Sequence, residues 1–156
     1  NELENKRVMG FSDNIIKIGL ISPLSNPEMV SKTDEVKKTL LKFKKVKISG
    51  HHFDVVKFNF ETPGTLESFL TQNKINVLYI MSGDDANLGT ISKLCRKYKI
   101  FSITNSKRYV EKGLSIGFEI NSKGKLEIYS NKKSIKAEQL TLASGLLMIS
   151  KVLEGN

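Results

Sequence analysis

Residues 113–131 read Gly-Leu-Ser-Ile-Gly-Phe-Glu-Ile-Asn-Ser-Lys-Gly-Lys-Leu-Glu-Ile-Tyr-Ser-Asn, and this stretch decides the fold. Apolar residues alternate along two runs, Ile116, Phe118 and Ile120 before the turn and Leu126 and Ile128 after it. A period of two on both sides of a glycine-containing turn predicts a β-hairpin. We expect Phe118 and Ile128 to face the core from its two strands.

Upstream of the hairpin, strand-like and helix-like stretches alternate. The predicted strands span residues 15–21, 52–60, 76–81 and 99–104. Such alternation predicts a parallel sheet with helices on both of its faces. Downstream, residues 140–153 predict a closing helix. The expected fold class is therefore a single three-layer α/β domain with a mostly parallel sheet, helices on both faces, a C-terminal antiparallel hairpin and a closing helix.

The chain is strongly basic, with a formal net charge of +9 from 25 lysines and arginines, nearly all of them lysine. Such a charge is typical of proteins that bind nucleic acid, anionic lipid or an acidic partner. It is equally typical of a lysine-rich surface that is simply solvated. Nucleic-acid sites usually combine arginine forks with stacking aromatic rings, and neither accompanies the lysines here. We therefore expect no nucleic-acid partner and favour a solvated surface.

No residue pattern points to catalysis, a metal or a cofactor. The single cysteine, Cys95, shares the apolar side of a predicted helix, and no intrachain disulfide can form. The adjacent His51 and His52 would point to opposite faces of a strand and cannot both bind one metal ion. Phosphate-binding and dinucleotide-binding fingerprints are absent. The sequence therefore predicts a non-enzymatic protein without a metal or cofactor.

Polar residues follow the predicted strands at the ends where open α/β sheets bind ligands. These candidate ligand-binding residues are Ser22, Ser82, Asp84, Asp85, Thr104 and Asn105. Asp84 and Asp85 could belong to a phosphoryl-acceptor or Mg²⁺ site, but such a site needs further acids after the first strand. The first strand here ends in Ser-Pro-Leu-Ser and supplies none. Capping of the next helix explains the two aspartates better. A ligand pocket at this edge stays a prediction.

The C-terminal third resembles the YfiR-like family. The resemblance rests on Ser102-Ile-Thr-Asn105, Gly113, Ile116-Gly-Phe118, Lys125-Leu-Glu-Ile-Tyr-Ser-Asn131 and Leu140-Thr-Leu-Ala-Ser-Gly-Leu-Leu147. There are departures: Leu114 and Ser115 follow Gly113 where a second glycine and a methionine are typical, and Asn105 replaces an acid. The chain also lacks the cysteines that form disulfides in some members. These motifs describe a fold rather than a catalytic site.

Residues 1–13 are mostly polar and charged, and we expect a flexible lead-in there. The resemblance implies a YfiR-like domain at residues 14–156. It also implies a periplasmic, non-enzymatic sensor that binds an inner-membrane signalling protein, such as a diguanylate cyclase or a kinase, and so regulates cyclic-di-GMP or a similar output. Because the sequence begins without Met or an apolar leader, we expect any export signal to have been removed. A small-molecule ligand and a homodimer are both left open.

Two other functions stay open. Residues 18–25, Ile-Gly-Leu-Ile-Ser-Pro-Leu-Ser, look like the opening strand of a solute-binding protein, so the chain could correspond to one lobe of such a protein. A complete binding protein needs two lobes and a hinge, for which 156 residues are few. The other alternative is a small α/β enzyme whose site the sequence does not reveal.

Overall fold

Strands and helices alternate through most of the computed structural model, which describes residues 15–47, 50–138 and 151–153. The strands are β1 (Ile15–Pro23), β2 (His52–Phe60), β3 (Val77–Ile80), β4 (Phe101–Thr104), β5 (Ile116–Ile120), β6 (Leu126–Asn131) and β7 (Lys151–Leu153). The helices are α1 (Pro27–Leu41), α2 (Pro63–Gln72), α3 (Asp85–Tyr98), α4 (Lys107–Glu111) and α5 (Lys132–Ala137). The predicted lead-in at residues 1–13 lies outside the described residues.

All seven strands form one sheet in the order β2-β1-β3-β4-β5-β6-β7. Strands β1 to β5 all run in the same direction. Strand β6 pairs antiparallel with β5, and β7 pairs parallel with β6. The carboxyl ends of β1 to β5 therefore meet at one edge of the sheet, here called the carboxyl edge. The turn of the β5–β6 hairpin lies at this same edge. The predicted fold class, an α/β domain with a C-terminal antiparallel hairpin, is confirmed.

Helices cover both faces of the sheet, as the β-α-β order requires. On one face, here the α1 face, Val36 and Leu40 of α1 pack on a buried cluster from β1, β2 and β3. The other face carries the larger core, to which α2 contributes Leu66 and Phe69 and α3 contributes Ile91. Because successive residues of a strand point to opposite faces, β1 to β3 carry apolar side chains on both sides.

Local signals in the sequence place the helix starts. Asn26 is the N-cap of α1, and its side chain accepts a hydrogen bond from the N–H of Met29 at 3.2 Å. Thr62 and Thr65 form a reciprocal capping box at the start of α2. Both helices have proline in their first turn, where the missing N–H costs no hydrogen bond. Each of these two helices therefore begins at a capping residue followed by proline.

The C-terminal region departs from prediction in three ways. Phe118 is 37% exposed and Ile128 is half-buried, so the expected core-facing role of Phe118 is wrong. Helix α5 follows the hairpin directly and was not predicted. The predicted closing helix falls largely on residues 139–150, outside the described residues, and its last three residues instead form strand β7. Pairing with β6 determines the conformation of those three residues, and a pairing between distant segments leaves no local signal.

Candidate functional site

The six predicted ligand-binding residues all lie at the carboxyl edge, but they do not act as one group. Ser22 is completely buried in β1, and its hydroxyl donates to Asn59 Oδ1 of β2 at 2.8 Å. Thr104 is also completely buried, and its Oγ1 has no hydrogen-bond partner among the described residues. Neither side chain reaches the surface, so neither is open to a ligand in this structure.

Ser82 and Asn105 are brought together by the ends of β3 and β4. The N–H of Ser82 donates to Asn105 Oδ1 at 2.8 Å, which ties the two loops that leave these strands. Sequence reasoning placed both residues at this edge because each directly follows a strand. The structure adds the direct contact between them.

Asp84 and Asp85 both form hydrogen bonds with the hydroxyl of Tyr109, a residue that the sequence did not point to. The hydroxyl of Tyr109, from α4, accepts from the N–H groups of Gly83 at 3.0 Å and Asp84 at 2.9 Å. The same hydroxyl donates to Asp85 Oδ1 at 2.8 Å. Arg108 forms an ion pair with the other oxygen of Asp85 at 2.5 Å. Tyr109 thus fixes the loop before α3 to the helix after β4.

This arrangement corrects the capping prediction for the two aspartates. Asp84 occupies the N-cap position of α3, but its side chain makes no capping hydrogen bond and instead accepts from Asn87 Nδ2 at 2.7 Å. Hydrogen bonds from Tyr109 and Arg108 lower the pKa of Asp85, while burial and the bond to Asp85 raise the pKa of Tyr109. Tyr109 lies 24 residues from Asp85, so no local pattern pointed to it.

A groove of about 560 Å³ opens on the α1 face, between α1 and the ends of β3 and β4. Its floor carries Tyr79 and Met81, its wall carries Val36 and Leu40, and Asn105 lies at its rim. Desolvation raises the pKa of Tyr79, in keeping with its partly buried ring. Volume and lining both suit a small molecule with an apolar body. Of the six predicted residues, Asn105 lines this groove.

The hairpin presents an exposed apolar patch on the α1 face at the carboxyl edge. It consists of Phe118, Ile120 and Leu126, with 37%, 68% and 57% of their surfaces exposed. Ile120 lies directly opposite Leu126 across the β5–β6 ladder, and Phe118 is the next residue along on the same face. We call these three residues the tip patch. The alternation in the sequence placed them on one face but could not show that this face is open.

A hydrogen-bonded turn adjoins the tip patch. Asn121 Oδ1 accepts from the N–H groups of Lys123 at 2.9 Å and Lys125 at 3.0 Å, and Asn121 Nδ2 donates to Glu127 at 3.0 Å. Gly124 adopts φ of 75°, in the left-handed region that glycine occupies without steric cost. On the other strand, Glu119 accepts from the N–H of Lys107 at 2.7 Å.

The base of the hairpin adjoins a buried carboxyl group that the sequence analysis also missed. Glu138 is 1% exposed and accepts from the Ser102 N–H at 3.0 Å, the Ser102 hydroxyl at 2.7 Å and the Ser115 hydroxyl at 2.6 Å. Burial raises the pKa of Glu138 to about 7, although these hydrogen bonds oppose the rise. The buried Cys95 thiol has a pKa well above its usual value, through burial and the nearby Glu138.

The described residues contain neither a cluster of metal ligands nor a membrane-spanning helix. In residues 15–47, 50–138 and 151–153, no three His, Cys, Asp or Glu side chains are grouped so as to hold a metal ion. Within those same ranges, no helix combines the length and the apolar character needed to cross a membrane.

The fold is similar to several solved structures. A ligand-free substrate-binding protein with adhesive properties from Clostridium difficile superposes with a TM-score of 0.71 at 18% identity over 99% of this chain. A conserved domain protein from Vibrio cholerae gives 0.69 at 14% over 98%, and an ABC domain from Streptococcus pneumoniae in complex with L-Trp gives 0.62 at 14% over 97%. The chain covers 59%, 59% and 60% of these proteins. At such identities the likeness concerns the fold alone.

Sequence comparison gives a more specific result. No curated protein sequence matches this chain. The sequence model of the YfiR/HmsC-like family matches residues 25–151, which includes the hairpin and the YfiR-like motifs quoted above. This match confirms the resemblance inferred from the hairpin sequence. The chain belongs to the YfiR/HmsC-like family.

Proposed function

We propose that this chain is a non-enzymatic extracytoplasmic regulatory domain that binds a membrane signalling protein, such as a diguanylate cyclase or a kinase, and modulates its output. The observation that carries the proposal is the tip patch, in which Phe118, Ile120 and Leu126 lie side by side and open to solvent. Exposed apolar side chains clustered on one face are typical of protein-binding surfaces.

Family membership supports the regulatory class. The YfiR/HmsC-like family is periplasmic, regulatory and non-catalytic. A periplasmic location for this chain forms part of the proposal. So does a single family domain at residues 14–156. The partner's identity and the cyclic-di-GMP output follow from the family and are proposed on that ground.

The construction of the tip patch suits binding. Asn121 holds the turn through two backbone hydrogen bonds, and the ladder between β5 and β6 fixes the strands on either side. A patch that is rigid before binding loses little conformational entropy when a partner covers it. Glu119 and Glu127 lie on the opposite face of the hairpin, so the polar groups next to the patch are those of the turn at residues 121–125.

The mechanism follows from linkage between binding and conformation. A domain that binds one conformation of a membrane cyclase or kinase more tightly than the other shifts its population toward that conformation. The size of the shift equals the difference between the two binding free energies. Regulation therefore needs no chemistry in this chain, in agreement with a sequence that shows no catalytic group.

The test is binding of the full chain to the extracytoplasmic region of the membrane signalling protein encoded beside it. We expect Ile120→Asp and Leu126→Asp each to weaken binding by roughly 30-fold or more, as for interface positions worth about 2 kcal/mol. Phe43→Asp, which also changes an exposed apolar residue, is the control and should bind like the wild type. Equal affinities for all three variants would overturn the proposal.

A second candidate function is capture of a small solute. Its support is the groove on the α1 face, together with a fold that resembles substrate-binding proteins. Thermal unfolding with and without L-Trp, the ligand of the streptococcal structure, gives a first test. A rise in Tm that Tyr79→Ala removes, with wild-type binding to the membrane protein absent, would favour solute capture. The regulatory proposal predicts no L-Trp effect.

A further inference from the structure

Residues 41–47 form an exposed basic stretch that the proposed function does not use. They read Leu-Lys-Phe-Lys-Lys-Val-Lys, and every one of the seven is exposed. Four backbone hydrogen bonds shape the chain here, including those from the N–H of Phe43 to Leu40 at 3.0 Å and of Val46 to Phe43 at 2.8 Å. We call residues 41–47 the basic segment.

The charge of this region has one sign. Six lysines and no acidic residue lie between Glu35 and Asp54. Within the described part of the chain, none of the four lysines of the basic segment forms an ion pair. No carboxylate of the described residues therefore pairs with these four lysines, although Asp54 lines the same depression as Lys44, and their charge can attract an anionic partner.

Apolar side chains lie between these lysines. Leu41, Phe43 and Val46 are all exposed, and Phe43 has 56% of its surface open to solvent. Ile15, at the start of β1, adds a fourth exposed apolar side chain and shares a shallow depression with Lys44. Lysines interleaved with phenylalanine, leucine and valine combine attraction to anionic headgroups with insertion into the boundary of the acyl chains.

The location of the basic segment is opposite to that of the tip patch. The segment connects the end of α1 to the start of β2, so it lies at the edge of the sheet where β1 and β2 begin. The tip patch lies at the carboxyl edge. Strand β1 has nine residues, which separates the two edges by about 30 Å at the usual rise per residue. One domain can therefore present both surfaces at once.

We propose that the basic segment docks this domain on an anionic phospholipid surface, with the lysines over the headgroups and Phe43 inserted between them. The exposed Leu41, Phe43 and Val46 between the lysines suit a bilayer, into which apolar side chains can insert, better than an acidic protein surface. The orientation rests on the proposed function, because docking at this edge would hold the tip patch about 30 Å above the lipid. Lipid binding itself does not depend on the tip patch.

The experiment is co-sedimentation of the full chain with vesicles of phosphatidylcholine, with or without phosphatidylglycerol. We expect binding to the anionic vesicles alone, weakened when NaCl rises from about 0.1 M to about 0.5 M. Lys44→Gln with Lys45→Gln should lower vesicle binding by roughly tenfold. Phe43→Ser should lower it as well, because insertion of an apolar ring contributes beyond charge.

Matched controls are available at the other edge of the sheet. Lys123→Gln with Lys125→Gln removes the same charge, and Leu126→Ser removes a side chain with 57% of its surface exposed, against 56% for Phe43. Both controls should bind vesicles like the wild type. Equal losses in variants and controls would overturn the proposal. So would tight binding to poly-glutamate that Phe43→Ser leaves unchanged, since that result assigns the segment to acidic proteins. Loss of partner binding with vesicle binding intact would contradict only the proposed function.

Discussion

The two ends of the β5–β6 hairpin share one alternating sequence pattern and have opposite surroundings. At the base, Ile116 and Tyr129 are almost fully buried, and Asn131 has no exposed surface. At the tip, Ile120 and Leu126 are more than half exposed. The base packs against α4 at Gly117 and adjoins the buried Glu138, whereas the side chains of the tip patch are open to solvent.

This difference separates folding from binding along a single hairpin. Side chains at the base make hydrogen bonds and contacts that the folded state requires, so changes there should reduce the free energy of unfolding. Apolar side chains at the tip gain little from folding because water still reaches them. Changes at the tip should therefore affect a partner and leave stability nearly intact.

The largest change in the free energy of unfolding should come from pH, through the buried acid at the base of the hairpin. Glu138 has a folded-state pKa of about 7, above its ordinary value of 4.5, so the folded protein holds a proton that the unfolded chain releases. This contribution to stability is complete below about pH 4.5 and is lost as pH rises to about 7. The total loss is about 3 kcal/mol, at 1.36 kcal/mol for each pKa unit.

Urea unfolding of the wild type and Glu138→Gln at about pH 4 and about pH 8 measures this effect. The glutamine keeps the shape of the protonated acid and carries no charge, so the wild type should lose about 3 kcal/mol more than the variant. The exposed Glu61→Gln is the control and should follow the wild type. Parallel pH profiles for wild type and Glu138→Gln would show that the buried acid does not control stability.

A smaller effect is expected where α4 packs on the hairpin. A Cβ atom added at Gly117 would lie 2.6 Å from Val110 Cγ2 and 3.3 Å from the carbonyl oxygen of Ser106. Gly117→Ala should therefore lower the free energy of unfolding by about 2 to 3 kcal/mol through overpacking. Gly89→Ala is the control, because a Cβ on that helical glycine meets nothing within 4 Å. The control should gain about 0.5 to 1 kcal/mol.

Asn131 offers a somewhat smaller effect at the same end. Its Nδ2 donates to the buried carbonyl oxygen of Val110 at 2.9 Å, and its Oδ1 accepts from the Ser134 N–H at 3.2 Å as the N-cap of α5. Asn131→Ala should cost about 2 kcal/mol, about half from the lost cap and the rest from the unpaired carbonyl. Asn26→Ala loses a cap alone and should cost about 1 kcal/mol. Equal costs for both variants would contradict the role of the Val110 bond.

The smallest change in stability should occur at the tip. Ile120→Ser replaces a side chain that is 68% exposed, and the free energy of unfolding should change by less than about 0.5 kcal/mol. Chemical unfolding followed by circular dichroism measures it. A loss above about 1.5 kcal/mol would show that the side chain packs in the fold, contrary to a free binding surface.

The sequence predicted the parts of the fold that have a local pattern. Apolar runs and the Pro27 and Pro63 helix starts predicted the β-α-β order, and the period of two predicted the hairpin and its shared apolar face. Burial of that face could not be predicted, because it depends on which elements cover each part of the sheet. Phe118 was assigned to the core for this reason. Strand β7 was missed because its conformation comes from pairing with β6.

The candidate site was predictable only in location. The rule that ligands bind at carboxyl edges placed Ser82 and Asn105 correctly at neighbouring strand ends, and their hydrogen bond confirms that they are adjacent. Tyr109 and Glu138 were missed because their partners lie 23 to 36 residues away along the chain. Whether the six predicted residues bind a ligand stays a prediction.

One measurement tests the separation of base and tip most directly: calorimetric titration with the extracytoplasmic region of the membrane partner. It compares the wild type with a tip variant, which carries both Ile120→Asp and Leu126→Asp, and with a base variant, which carries Asn131→Ala. The tip variant should bind at least about 100-fold more weakly with a wild-type Tm. The base variant should unfold at lower temperature and, while folded, bind like the wild type. Wild-type affinity in the tip variant, or loss of affinity in the folded base variant alone, would contradict a binding surface at the tip of the hairpin.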